Sequence, residues 1–179
     1  PVPGQPKPEL IDVVERMTRT LLHRGPDGEG IFADHAAGVA LGHRRLAILD
    51  LSPAGAQPIS SPDGTLTVTC DGEIYNHRAL REHLKSRGYE FRGTSDTEVL
   101  LYLLREEGVA GIDRLRGMFA LAFWDTEPQE LLLARDPFGI KPLYYVDTPR
   151  RLAFASQDPI VNGVAAGAGT EGVRPSFVS

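Results

Sequence analysis

Residues 65–76 constrain the fold most, because a regular alternation of apolar and polar residues is followed there by a glycine and then by the start of a predicted helix. Apolar side chains alternate with threonines over 66–70, the period of a strand with one face in the core. The alternation stops at Asp71 and Gly72, and Asn76 predicts the cap of a helix. A strand, a tight glycine turn and a helix would leave N–H groups free to hold an anion or a developing oxyanion. An ordinary strand–turn–helix connection is the alternative.

Composition and charge exclude several classes of protein. The chain has 179 residues, 41% of them hydrophobic and 24% charged, which is typical of one globular domain with a real core. Its net charge of -5 argues against a nucleic-acid partner. No apolar run reaches the length of a membrane span, and no signal peptide opens the chain. A single cysteine excludes an internal disulfide and fits a cytoplasmic protein.

Three segments are predicted from composition. Residues 1–8 form a Pro-rich leader, and residues 9–160 carry the periodic patterns of one folded domain. Residues 161–179 are a low-complexity tail of Gly, Ala and Val without any period, and we expect them to be disordered.

The periodic patterns predict an α+β domain with stacked sheets flanked by helices. Helices are expected over 9–24, 76–87 and 95–107, the last with a capping box formed by Ser95 and Glu98. Strands are expected at residues 31–33, 38–43, 46–51, 65–70, 89–91, 118–124, 130–134, 143–146 and 152–155. Short turns separate the last four strands, so they are expected to form an antiparallel meander.

Six short motifs follow one another along the chain. They are His-Arg-Gly-Pro-Asp-Gly at 23–28, Gly-His-Arg-Arg-Leu-Ala-Ile-Leu-Asp at 42–50, Gly-Glu-Ile-Tyr-Asn at 72–76, Ser-Asp-Thr-Glu at 95–98, Arg-Gly-Met-Phe-Ala at 116–120 and Ala-Arg-Asp-Pro-Phe-Gly-Ile-Lys-Pro-Leu-Tyr at 134–144. In this order and spacing, the motifs resemble the class II glutamine amidotransferase domain at the N-terminus of glutamine-dependent asparagine synthetases.

The resemblance implies a fold and an activity. The fold is that of the N-terminal-nucleophile hydrolases, a four-layer αββα sandwich. The activity is hydrolysis of the side-chain amide of glutamine, with the ammonia passed to a synthetase domain in cis or in trans. The chain contains no Ser-Gly-Gly pyrophosphate loop and no Walker-type loop, so ATP and magnesium are expected to belong to a synthetase domain outside it.

The resemblance also implies a glutamine site. Arg45 would pair with the substrate's α-carboxylate, and Asp96 would accept from its ammonium group. The alternatives are a surface cation beside a strand for Arg45 and a helix-dipole carboxylate for Asp96. The implied contacts are Arg45, Leu46, Ala47, Ile48, Leu49, Asp71, Gly72, Glu73 and Asp96. Structural roles are expected for the Arg135–Asp136 ion pair, for His23 and His43, and for Glu73, Tyr75 and Asn76, which would hold the turn.

The first departure from the family concerns the nucleophile. The family uses an N-terminal cysteine, whereas residue 1 is Pro and no Cys-Gly-Ile strand precedes Glu9. Cys70 is expected to be a buried core thiol and therefore no substitute. One sheet is expected to lack its N-terminal strand, which would leave an unpaired edge or an apolar strip.

The second departure is Asp71, which stands where the family has an Asn that donates to the oxyanion. A carboxylate accepts instead of donating, and its charge would repel an oxyanion. Together the two departures predict a chain that is inactive as written, so no catalytic residue is assigned. The alternative is a non-catalytic domain that binds glutamine or packs against a synthetase.

Overall fold

The computed structural model describes residues 8–47, 52–149, 151–158 and 174–178, which form three α-helices, two short 3-10 helices at Pro53–Gly55 and Gly108–Arg114, and nine strands. The bounds are α1 Pro8–Thr20, β1 Gly28–Asp34, β2 Val39–Arg45, β3 Ile59–Ser60, β4 Leu66–Ile74, α2 His77–Ser86, α3 Asp96–Glu107, β5 Gly117–Asp125, β6 Glu130–Arg135, β7 Tyr144–Thr148, β8 Arg151–Ala155 and β9 Arg174–Val178. None of these helices is long and apolar enough to cross a membrane.

The central layer is a five-stranded sheet in the order β3-β4-β5-β6-β9. Its neighbouring strands are antiparallel except for β9, which runs parallel to β6. Residues 174–178, which we expected to be disordered, therefore form an edge strand. Residues 1–7 of the predicted leader at 1–8 and the remaining tail residues lie outside the described part of the chain, whereas Pro8 begins α1.

One face of this sheet packs against α2 and α3. On β5, Phe119, Leu121 and Phe123 are buried in the same cluster as Leu80 and Leu84 of α2. Most of α3 is buried here as well, since residues 96–104 are all buried. Every second side chain of β5 from Phe119 to Phe123 is therefore apolar and packs against α2 and α3, as the sequence predicts.

The opposite face of the sheet packs against two separate hairpins, β1–β2 and β7–β8. Trp124 is fully buried in this second cluster, and its indole N–H donates to the Asp34 carboxylate at 3.2 Å. Helix α1 covers the outside of β2, where Val14 and Thr18 pack against Gly42. The layers are thus the helices α2 and α3, the five-stranded sheet, the two hairpins and the helix α1, which confirms the α+β sandwich.

Strand β4 differs from its prediction, because it continues through Asp71 and Gly72 to Ile74 in register with β5. Gly72 has a φ of 150°, and a Cβ there would lie 2.0 Å from the Met118 carbonyl oxygen. The glycine therefore permits close approach of two strands and does not form the tight turn that we expected. The chain turns at Tyr75 and Asn76 instead.

We expect Gly72→Ala to destabilise the domain by about 2–4 kcal/mol, because the new methyl group meets backbone at a strained φ. Denaturant unfolding followed by circular dichroism measures the change. Gly64→Ala is the matched control: Gly64 also has a positive φ, but no atom lies within 4 Å of its Cβ position. A loss for Gly72→Ala no larger than the control's would contradict this account of the β4–β5 contact.

Two predicted strands are wrong or untested. Residues 89–91 form a connection between α2 and α3 and not a strand. The rings of Tyr89 and Phe91 pack against α3, each with its centroid 5.1 Å from that of Tyr102. Leu46 and Ala47 lie outside any strand, and the rest of the expected strand at 46–51 falls outside the described residues. The expected meander is divided between two layers, as the hairpins β5–β6 and β7–β8.

The two predicted helix caps have different outcomes. The Ser95 hydroxyl accepts from the Thr97 N–H, as a cap should, but Glu98 accepts from the N–H groups of Arg92 and Gly93. Asn76 makes no side-chain cap bond. Its amide instead holds the backbone of residues 114 and 116.

Candidate functional site

A cleft of about 490 Å³ lies over β4 and β5, with walls formed by α1, β2 and β8. Among the described strands, β2 pairs only with β1, and β8 pairs only with β7. The side of β2 that borders the cleft pairs with no other strand in the described part of the chain. The side chains of Leu10, Met17 and Leu143 make part of its lining apolar. The missing strand itself stays a prediction, because residues 1–7 lie outside the described part of the chain.

Most of the predicted glutamine contacts line this single cleft. They are Arg45, Leu46, Asp71, Gly72, Glu73 and Asp96. Ala47 has another role, since its N–H donates to the Asp27 carboxylate at 2.9 Å. Ile48 and Leu49 lie outside the described residues. The side chains therefore converge although they lie far apart in sequence, and their part in binding stays a prediction.

Glu73 and Asp96 give one part of the cleft negative charge. Asp96 is 7% exposed, and its Oδ2 accepts the Ile74 N–H at 2.8 Å. Burial raises the pKa of Glu73, and the nearby Asp96 charge raises it further. Neither carboxylate forms an ion pair with a cation in the described part of the chain. Such a pair of carboxylates suits the ammonium group of an amino acid.

Arg45 supplies a positive charge to the same cleft. Its Nη1 donates to the Ser52 carbonyl oxygen at 3.0 Å, which fixes the direction of the side chain. A guanidinium group has five N–H donors, so the remaining donors are available to a carboxylate. The arrangement can hold both charged groups of a free amino acid.

Asp71 lies between two cations that the sequence analysis did not predict as its partners. Its Oδ1 accepts from Lys141 Nζ at 2.9 Å, and its Oδ2 accepts from Arg24 Nη2 at 3.2 Å. The repulsion of an oxyanion by this carboxylate stays a prediction, and the two cations would weaken it. Sequence reasoning missed Arg24 and Lys141 although both lie in the quoted motifs, because 47 and 70 residues separate them from Asp71.

Cys70 is buried, as predicted. Burial raises the pKa of its thiol well above the ordinary value, and the charges of Asp96 and Asp71 act in the same direction. Its backbone is fixed as well, because the Gln57 side-chain amide donates to the Cys70 carbonyl and accepts from its N–H. The thiol is thus a core side chain that stays protonated near neutral pH.

His23 and His43 both have partners, in agreement with structural roles. His23 contacts the Thr20 carbonyl and the Gln157 side chain. The Nδ1 of His43 lies 3.0 Å from the Thr69 hydroxyl. Burial lowers the pKa of His43 to about 4, with Asp71 opposing the shift and Arg45 adding to it.

Stability should therefore fall as the pH is lowered from 6.5 to about 4, because the unfolded chain protonates His43 in this range and the folded chain does not. We expect His43 to contribute about 2–3 kcal/mol to this loss. Denaturant midpoints measured across the range, compared with those of His43→Asn, isolate the contribution. Equal pH slopes in the two proteins would show that His43 titrates normally.

Asp136 differs from its prediction, because it forms no ion pair with Arg135. Its carboxylate accepts instead from the N–H groups of residues 119, 138, 140 and 141. Burial alone would raise the pKa of Asp136, but these backbone donors outweigh burial and lower it. The residue fixes the loop that carries Lys141.

Comparison with known proteins agrees with this geometry. A family model described as a glutamine amidotransferase domain matches residues 3–168. The chain belongs to the glutamine amidotransferase family. Like the solved structures below, the domain has the sandwich fold of the N-terminal-nucleophile hydrolases.

Several relatives resemble this amidotransferase domain over most of its length. It is 44% identical over 146 residues to the glutamine-hydrolyzing asparagine synthetase 1 of Bacillus subtilis, covering 82% of this chain and 23% of that protein. It is 46% identical over 136 residues to asparagine synthetase B of Escherichia coli, covering 76% and 24%. Amidase chyE of Penicillium rubens is 38% identical over 148 residues, covering 83% and 22%. The chain thus spans about a quarter of the length of these relatives.

A solved structure supports the fold assignment. The glutamine phosphoribosylpyrophosphate amidotransferase of Bacillus subtilis superimposes with a TM-score of 0.70 at 24% identity, covering 85% of this chain and 41% of that one. At this level of identity, the similarity concerns the fold alone.

Proposed function

We propose that this domain binds free glutamine in its cleft and releases ammonia from the side-chain amide for use by a synthetase domain. The observation that carries the proposal is the charge pattern of the cleft. The Arg45 guanidinium and the Glu73–Asp96 carboxylate pair line the same cavity, as recognition of a zwitterion requires. The asparagine synthetases among its relatives carry glutamine hydrolysis in their names.

We further propose that residues 1–179 alone lack the nucleophile of this reaction. The sequence has one cysteine, and its thiol is buried with a raised pKa. The family's reaction needs an accessible thiol beside an amine, which Cys70 cannot provide. The same observation favours a second candidate function, a domain that binds glutamine without hydrolysing it.

A synthetase domain is the proposed partner, in cis or in trans, and ATP and magnesium would belong to it. Support comes from an exposed apolar loop, in which Phe138 is 86% exposed and Ile140 is 57% exposed. The Asp136 carboxylate accepts from the N–H groups of Phe138 and Ile140 in this loop, and an exposed apolar loop is typical of a docking surface. A cytoplasmic location is part of the same proposal.

Titration calorimetry of residues 1–179 with L-glutamine tests the proposal, and an ammonia assay runs beside it. We expect saturable binding of L-glutamine, weaker binding of D-glutamine, and no release of ammonia. Binding without hydrolysis would be compatible with both candidate functions, which an added N-terminal cysteine then separates. An absence of binding would contradict both candidates.

A further inference from the structure

The charged cluster around Asp71 has a net positive charge. Arg24 and Lys141 each contribute one positive charge, and Asp71 contributes one negative charge, so the sum is +1. Both carboxylate oxygens are occupied by these cations, at 3.2 Å and 2.9 Å. The carboxylate therefore orients two cations at this end of the cleft instead of presenting a free negative charge to it.

Lys141 is the cation that still has donors to offer. An ammonium group carries three N–H donors, and only Asp71 accepts from Lys141 Nζ among the described residues. By contrast, Arg24 donates from Nη1 to the Ser156 carbonyl and hydroxyl as well as from Nη2 to Asp71. Arg24 thus ties β8 to the sheet, whereas Lys141 retains free hydrogen-bonding capacity.

Lys141 is also held in place beside the glutamine contacts. Its backbone N–H donates to Asp136 Oδ2 at 3.0 Å, and its side chain is 22% exposed. It lines the same cleft as Gly72 and Glu73. Burial and the Asp96 charge raise the pKa of Glu73, and the Lys141 charge opposes this rise. The Lys141 ammonium group is therefore close enough to Glu73 to act on it electrostatically.

We propose that Lys141 donates to the oxygen of the substrate's side-chain carbonyl as negative charge develops on it. In this role it replaces the amide donor that Asp71 lacks. The inference rests on the proposed function, because the carbonyl in question is that of bound glutamine. Asp71 then acts as a positioning residue that directs Lys141.

A tetrahedral anion tests the proposal without any nucleophile. The probe is the phosphonate analogue of glutamate, in which a phosphonate group replaces the side-chain carboxylate, and calorimetry compares it with L-glutamine. We expect Lys141→Met to weaken phosphonate binding by about 10- to 100-fold, because it removes a charged donor. Glutamine, whose side chain is neutral, should lose less than about threefold. Lys141→Arg should retain most of the phosphonate affinity.

Two further variants control the experiment. Lys85→Met makes the same change of charge on α2, at a side chain that is 51% exposed and paired with Glu82, and should alter neither affinity. Asp71→Asn should strengthen phosphonate binding by about three- to tenfold, because it removes the negative charge of the cluster.

The outcomes separate this inference from the proposed function. Unchanged phosphonate affinity in Lys141→Met, or equal losses for phosphonate and glutamine, would overturn the role of Lys141. A chain that binds glutamine but not the phosphonate would overturn it too, while leaving the proposed function intact. A chain that binds neither probe would overturn both.

Discussion

Adding a Cys-Gly-Ile strand ahead of Glu9 is expected to raise ammonia release from glutamine from an undetectable level by about 10⁴–10⁶-fold. The reason is that residues 1–179 provide a cleft with suitable charges but no accessible thiol. Beside this cleft, β2 pairs only with β1 among the described strands, so its other side can receive an added strand. The measurement is steady-state ammonia release by the extended and the original polypeptides.

The same extension beginning with Ser-Gly-Ile is the control, because it adds the strand with a much weaker nucleophile. Ammonia release by the original polypeptide would contradict the account, since it would require a nucleophile that we have not identified. Release by neither polypeptide would favour the non-catalytic candidate function.

Asp71→Asn in the extended polypeptide separates two views of Asp71. Loss of an oxyanion donor alone predicts a gain of about 10²–10³-fold on restoring the Asn. The ion pairs to Arg24 and Lys141 predict a gain of about tenfold or less, because Lys141 already supplies a donor. Turnover numbers for the two extended proteins distinguish the alternatives.

Arg45→Met is expected to weaken glutamine binding by about 30- to 100-fold, because it removes the charged partner of the substrate's α-carboxylate. Calorimetry with residues 1–179 measures the loss. Arg105→Met is the matched control, since Arg105 lies on α3 at the opposite face of the sheet and pairs with Asp63. An equal affinity in Arg45→Met would show that the carboxylate binds elsewhere, and would remove Arg45 from the site.

The sequence predicts the layers of the domain well because the relevant patterns are local. The alternation on β4 and the helical spacing of α1 depend on neighbouring residues. Both elements begin within one residue of their predicted starts, although β4 continues to Ile74 and α1 ends at Thr20. The motif resemblance predicted that Arg45, Glu73 and Asp96 share one site. All three line one cleft although no periodicity relates them, and their part in binding stays a prediction. Local patterns thus predicted the helices and strands, and the resemblance to the family predicted which distant residues share a site.

The rest depends on contacts between distant segments. Nothing near Asp71 shows that Arg24 and Lys141 neutralise it, because the pairs arise only when β4, α1 and the loop before β7 meet. Gly72 has the composition of a turn residue, but its position is decided by how closely β5 approaches. Asp136 has a charged neighbour in sequence and yet bonds backbone N–H groups.

Nuclear magnetic resonance of labelled residues 1–179 during titration with L-glutamine would show which residues glutamine contacts. The account predicts saturable shifts concentrated at Gly72, Glu73, Asp96 and the Arg45 side chain, with no comparable shifts on the exposed face of α2. Shifts confined to other surfaces, or no shifts at millimolar glutamine, would contradict the claim that this cleft is a glutamine site.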